Sequence, residues 1–432
     1  MTNEQKFTLS NGVRVLIEEL PHVQSAAIGF WLDVGSKAEA PEVNGISHFI
    51  EHMLFKGTTN RTALEIAQSL EVTGGSLNAF TDKENTCFYA RVLAEDVPLA
   101  IDVLADMLLN SLLDPAEIKR EKAVIIEEIK MYEDDPDEYA HDLLTETVWG
   151  GHPLGQPVAG TKKSVRGLTP QTIRDFMDRH YTPHNLVVAV AGQVDTQRVL
   201  SQLEAALAGF EAKHAPQELA PAGHQSGTIV KYRDIEQVHL AMATPGVPIA
   251  AEERYPIAIL NAILGGGMSS RLFQEVREKR GLVYSIGTFD ALYRPGGMLA
   301  ITAGLSPKHL PQVVSLVHEE LAKVKGGDIT ESELDMAKRQ IRGALLLALE
   351  SPRHRMNRMA HNELFYGRAQ KPTEVLAAVD AVTRQDLTRL AERMFDPAQF
   401  TTVVVGPLRR MPKELGWLNG PPARASYVTL EA

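Results

Sequence analysis

Two histidines and a glutamate in the run GISHFIEHML, residues 45–54, have the types and the spacing for metal-assisted hydrolysis. On a helix His48 and His52 are i and i+4, so both imidazoles project from one face about a turn apart. Glu51 lies next to that face, one residue before the second histidine. Two neutral imidazoles and a carboxylate leave Zn²⁺ a fourth position for water, which is the arrangement of a catalytic site. The pKa of such a water falls toward neutrality, and Glu51 is the base that could take its proton as it attacks a peptide carbonyl. Ile46, Phe49, Ile50 and Leu54 of this helix are apolar. Polar side chains buried beside them need a partner, and a metal supplies one.

A third ligand has to come from elsewhere in the first half. The helical stretch REKAVIIEEIKMYE carries Glu121, Glu127 and Glu128. Glu121 and Glu128 are seven apart and share a face, whereas Glu127 points about 100° away. Helical geometry leaves Glu121 and Glu128 as alternatives.

The elements that must position these residues occur twice. VRGLTPQTIRDFMDRHYTPHNLVVAVAGQV begins at Val165 and VDAVTRQDLTRLAERMFDPAQFTTVVVGPL at Val379, an ungapped match at an offset of 379 − 165 = 214. Each copy reads as a Thr N-cap, an amphipathic helix, a proline turn and a buried strand closed by Gly. Duplication explains a match of this length. Carried back to the motif, the offset pairs Ile46, Phe49 and Ile50 with Leu260, Ile263 and Leu264, while His48, Glu51 and His52 meet Ala262, Gly265 and Gly266. A slightly shifted register sets Glu121 and Glu128 opposite Ala337 and Ala344. The apolar frame survives in the second copy and the polar set does not, which is what a functional set leaves behind. The expected organisation is a catalytic zinc-binding domain at 1–210, a linker rich in Ala, Pro, Gly and His at 211–227, and a degenerate repeat domain at 228–432. Strand clusters alternate with helix pairs, so each domain is expected to be α+β, a mainly antiparallel sheet packed with helices.

Composition agrees with a soluble chain of two to three domains: 432 residues, 44% hydrophobic and 23% charged. The net charge of −11 and pI near 5.7 argue against a nucleic-acid binder. No stretch has the roughly 20 uninterrupted apolar residues of a membrane span. The single cysteine, Cys87, excludes an intrachain disulfide and reads as a small buried hydrophobe. With no basic and apolar leader at the N-terminus, a reducing, cytoplasmic location is the expectation. His180 and His184 are four apart, but Pro183 interrupts any helix between them and their repeat partners are Met394 and Ala398. They read as structural or surface residues.

HFIEHMLFKGT, GGSLNAFTDKENTCFYA, REKAVIIEEIKMYEDDP and HPLGQPVAGT resemble the pitrilysin and mitochondrial-processing-peptidase family, the inverzincins, in its short two-domain bacterial branch. The resemblance spans essentially the whole chain. It implies a zinc metalloendopeptidase with one zinc per chain, cleaving peptides or unfolded segments inside a chamber. It implies Glu128, 76 residues past His52, as the third ligand, and Glu121 as the acid supporting the site from behind. The family's second half grips substrate with an Arg and a Tyr seven apart, and REKRGLVYSI supplies Arg277 and Tyr284. GGGMSS resembles the family's glycine-rich loop, and no Lys-Ser/Thr follows to make it a nucleotide loop. The strand LNAFT, residues 77–81, matches the sheet edge to which substrate adds, with Asn78 and Ala79 holding its backbone. Processing peptidases read a substrate arginine with acids ten and fourteen residues beyond the ligand glutamate, here Glu138 and Asp142, which implies a preference for a basic residue before the cut. The same acids also suit the N-terminus of a helix begun at Pro136.

The family's chamber needs four such domains and this chain has two. Both the zinc motif and the Arg/Tyr pair are present, so a homodimer with Arg277 and Tyr284 facing the zinc of a second copy is the economical inference. The alternatives are a processing peptidase for leader sequences and a non-catalytic assembly subunit. Scaffold members usually lose a ligand or the base, and all four residues are here.

Overall fold

Strand runs such as SAAIGFWL and LVVAVAG are apolar at nearly every position, a pattern that requires cover on both faces of a sheet. The computed structural model supplies that cover. It describes residues 3–211 and 223–418, so that residues 212–222 of the expected linker lie outside the description. The described chain packs into two units.

In the first unit the strands are β1 (Glu4–Thr8), β2 (Arg14–Glu19), β3 (Ser25–Leu32), β4 (Ser76–Thr81), β5 (Thr86–Leu93) and β6 (Leu186–Gly192), in sheet order β1-β2-β6-β3-β5-β4. All neighbours are antiparallel except β2 and β6. The inner face, with Ile17, Ile28, Phe30, Phe88 and Val190, buries the helices Ile46–Leu54, Ala63–Glu71, Val97–Asn110 and part of Pro115–Asp134. The outer face, with Trp31, Cys87, Val187 and Ala189, is covered by Met356, Met359, Ala360 and Leu364 of the helix Pro352–Tyr366. Trp31 Nε1 donates to Met356 Sδ at 3.2 Å beneath that helix. Cys87 is fully buried there, the small-hydrophobe role expected of it, and burial lifts its thiol well above the ordinary range.

The second unit repeats the plan with β7 (Gly227–Tyr232), β8 (Val238–Pro245), β9 (Val283–Leu292), β10 (Gly297–Leu305) and β11 (Thr401–Gly406), ordered β7-β11-β8-β10-β9. Again one pair, β7 and β11, is parallel. One face packs on helices Arg254–Leu264, Leu310–Lys325 and Arg384–Met394. The other is covered by Ala140, Leu144, Val148 and Trp149 of the helix Pro136–Trp149. Both units are therefore α+β, a mainly antiparallel sheet with helices on each side.

Chain order and packing differ in one respect. The first unit gathers the described residues of 1–130, 156–219 and 345–372, and the second those of 131–155, 220–344 and 373–432. The outer helix of each sheet thus comes from the other half of the chain. The repeated segment folds alike in both units. Thr169 and Thr383 each close a capping box at the start of Pro170–His180 and Arg384–Met394, and each helix leads through a 3₁₀ proline turn into β6 or β11.

Candidate metal centre

The motif helix runs Ile46–Leu54, and Ile46, Phe49, Ile50, Met53 and Leu54 are all buried in the first unit's core. That packing fixes the opposite side, where His48, Glu51 and His52 stand. The helix begins in an unusual way. Its N-cap, Gly45, is left-handed at φ 91°, and no side chain of the cap itself satisfies the first turn. Glu39, 3% exposed, does so from outside the helix. Its Oε2 accepts from Gly45 N at 2.6 Å and Asn44 Nδ2 at 2.8 Å, and its Oε1 accepts from Ser47 N at 2.8 Å. A Cβ at Gly45 would meet the Ala159 carbonyl oxygen at 2.6 Å. Glycine is therefore required, and this contact explains why VAGT of the later motif packs at the helix start.

His48 Nε2 lies 3.8 Å from Glu128 Oε1, and His52 Nε2 lies 3.7 Å from Glu128 Oε2. The two imidazole centroids are 4.6 Å apart. His48, His52 and Glu128 form the one group among the described residues whose donor atoms converge tightly enough to hold a metal ion. Zinc bonds of about 2.0–2.1 Å in a tetrahedral site set ligand atoms about 3.4 Å apart. The observed separations exceed that by a few tenths of an ångström, so this donor set fits zinc with small side-chain adjustments.

The other ring nitrogen of His52, Nδ1, faces Glu121 Oε2 at 3.1 Å, and Glu121 Oε1 accepts from Lys56 Nζ at 2.7 Å. The two glutamates that share a helix face are separated by this arrangement. Glu128 faces both Nε2 atoms, and Glu121 faces the back of one ring. A carboxylate on Nδ1 fixes the tautomer that presents Nε2 to a metal. Glu127 points away and pairs with Lys130 at 2.7 Å.

The electrostatics suit ligation. Burial, with the neighbouring His52 adding to it and Glu128 opposing, lowers His48 to about 4, so its imidazole is neutral at pH 7. Burial raises the Glu51 carboxyl, while the Thr81 hydrogen bond and His52 oppose and Glu128 adds. The Thr81 hydroxyl donates to Glu51 Oε2 at 2.6 Å. Neither Glu39 nor Thr81 was singled out by sequence reading. The only local trace of Thr81 is its place at the end of LNAFT.

LNAFT lies on β4, which pairs with β5 alone and is the edge of its sheet. Asn78 is exposed, and its own Oδ1 accepts from Ala79 N at 2.8 Å. Arg277 sits in a π-helical turn, Phe273–Glu278, with its guanidinium carbon 4.7 Å from the Phe273 ring centroid and 5.6 Å from that of Tyr284. Such turns are frequent at functional sites. Tyr284 is 77% exposed on β9, the edge strand of the second sheet. Glu138 and Asp142 occupy the exposed face of Pro136–Trp149, whose N-cap is Asp135. They belong to the second unit, as do Arg277 and Tyr284, while the metal-site residues belong to the first. The His180 ring packs against that of Phe176 with centroids 4.3 Å apart, and the backbone carbonyl of His184 accepts from Arg14. In the second unit, a small void lined by Ala262 and Ala337 lies where the repeat carries the counterparts of His48 and Glu121.

A helical His-x-x-Glu-His facing a glutamate from a second helix, on a duplicated α+β plan, defines the inverted-motif class of metal sites. The chain belongs to the M16 peptidase family. Residues 14–162 match the model described as insulinase (peptidase family M16), and 167–341 match that of the peptidase M16 inactive domain. An uncharacterized zinc protease of Bacillus subtilis is 40% identical over 94% of this chain and 99% of its own length. One from Streptomyces coelicolor is 42% identical over 94% and 90%. Among solved structures, a protease from Helicobacter pylori has the same fold, with a TM-score of 0.88 at 24% identity over 94% of this chain and all of its own. No helix among the described residues is long and apolar enough to cross a membrane.

Proposed function

We propose that this chain is a zinc endopeptidase that cleaves peptides or unfolded segments, with His48, His52 and Glu128 holding one zinc and Glu51 acting as general base. The observation that carries the reading is the convergence of both Nε2 atoms on Glu128, with Glu51 beside them on the same helix. Zinc, when bound, supplies Lewis acidity that polarises a carbonyl and makes water nucleophilic near neutral pH. The protein's own groups do the rest. Glu51 takes the proton of the attacking water and returns it to the leaving amine. Glu121 holds the His52 ring in one tautomer.

A peptide adds along the open edge of β4, where its carbonyl replaces Asn78 Oδ1 as the acceptor of the Ala79 N–H. Arg277 and Tyr284, brought together by the π-helical turn, grip the substrate and stabilise developing negative charge. A homodimer lets these residues face the zinc of a second copy. The exposed acids Glu138 and Asp142 favour a basic residue before the cut bond, and they support leader processing as the second reading. A cytoplasmic location fits the single buried cysteine.

The test is cleavage of an internally quenched peptide library by the purified full-length chain. Cleavage that chelation abolishes and zinc restores supports the reading. Bound metal with no cleavage of any peptide would favour a non-catalytic assembly role instead.

A further inference from the structure

A general base works only from the right orientation, and a carboxylate on a helix can rotate. Glu51 is held on one side alone: Thr81 Oγ1 donates to its Oε2 at 2.6 Å, and among the described residues no partner holds Oε1. Thr81 is the last residue of β4. Strand alternation puts Leu77, Ala79 and Thr81 on one face, and Leu77 and Ala79 pack toward the core that buries the motif helix. Phe80 turns the other way, onto Trp31 at 5.3 Å between ring centroids.

The segment after Thr81 is rigid. Asp82 N donates to Asn85 O at 2.8 Å, Asp82 Oδ1 accepts from Glu84 N and Asn85 N at 2.6 Å each, and Ser36 N donates to Asp82 O at 3.1 Å. Glu84, 1% exposed, is ion-paired with Lys37. Thr86, opposite Thr81 in the β4–β5 register, anchors to Val34 O at 2.9 Å. Thr81 therefore joins a fixed, buried turn to an open strand edge, with its hydroxyl on the base.

We propose that Thr81 is a positioning residue for Glu51: its hydroxyl pins Oε2, leaves Oε1 for the reacting water, and ties the base to the strand that receives the peptide. The inference rests on the reading of Glu51 as base and adds the element that aims it. A misplacement of about 1 Å at a reacting group costs on the order of a hundredfold in rate. Removing this hydrogen bond lets the carboxylate rotate without touching the metal ligands or the strand.

Thr81→Val keeps the shape and removes the hydroxyl, and Thr81→Ser restores it. In the zinc-loaded full chain, Thr81→Val is expected to lower kcat roughly 10–100-fold, with KM changed less than about twofold. Metal content and Tm are expected to stay at wild-type values, and Thr81→Ser to recover most of kcat. Full activity of Thr81→Val beside an inactive Glu51→Gln would overturn the positioning role and leave the base assignment standing. A raised KM at unchanged kcat would make Thr81 part of peptide binding only, and a lowered Tm with no rescue by serine would make it structural. An active Glu51→Gln would remove the base assignment and this inference with it. Crystal structures give a readout independent of turnover: a Glu51 carboxylate in its wild-type orientation in Thr81→Val contradicts the proposal.

Discussion

Replacing Glu121 by alanine separates a ligand from the residue that orients one. Glu121 Oε2 stands 3.1 Å from His52 Nδ1, while Glu128 reaches the Nε2 atoms of both histidines. A hydrogen bond to a charged group is worth about 1.5–3 kcal/mol. Loss of an outer partner of a metal-bound histidine costs 10–100-fold in affinity, or about 1.4–2.8 kcal/mol. The two routes agree, so Glu121→Ala is expected to weaken zinc binding by roughly 10–100-fold. Lys56, the other partner of Glu121, has a side chain 32% exposed, so its freed ammonium can be solvated. Glu128→Ala removes a donor outright and is expected to lose more than a hundredfold (~, beyond the outer-partner range). Glu127→Ala, whose side chain is 71% exposed, is expected to change nothing. The assay is zinc occupancy against a chelator-buffered series, which needs no catalytic turnover. Unchanged occupancy in Glu121→Ala, or a larger loss there than in Glu128→Ala, would refute the division of roles.

Two further outcomes follow from the same structure. Glu39→Ala strands two buried backbone N–H groups, those of Gly45 and Ser47, at about 1–3 kcal/mol each; urea unfolding should show a loss of roughly 2–6 kcal/mol, and a loss below about 1 kcal/mol would mean the helix start is held otherwise. Burial lowers His180 and His318 to about 4, against 6.5 when unfolded, so the unfolded chain takes up protons first on acidification. Their contribution to stability is present above pH 6.5 and is lost as pH falls toward 4, and it should flatten in His180→Asn and His318→Asn. Urea midpoints of zinc-free protein at several pH values check this, and a midpoint independent of pH across that window contradicts it.

Much of this site could be read from local spacing. The i, i+4 histidines and the apolar positions between them sit on one short helix, so helical periodicity alone gives both its chemical and its core faces. The repeated Thr cap, proline turn and apolar strand at 165–194 and 379–408 folds as its sequence predicts, because each signal acts within a few residues. The remainder depends on tertiary contacts. Glu121 and Glu128 share a helix face, and only the placement of that helix against His52 tells them apart. Glu39 caps a helix that begins seven residues later, through a loop no periodicity describes. The helices Pro136–Trp149 and Pro352–Tyr366 each cover the outer face of a sheet, and amphipathicity does not say which sheet a helix covers. Tyr284 stands 77% exposed on β9, which only the packing of the second sheet reveals.

The most direct test of zinc peptidase chemistry at this site is peptide cleavage by wild type and Glu51→Gln, with metal content determined on both. The structure predicts about one zinc per chain in each protein, with cleavage by the wild type and none by the variant. A Glu51→Gln protein that binds zinc and still cleaves would contradict the assignment of the base, and a wild-type chain that binds no metal would contradict the site itself.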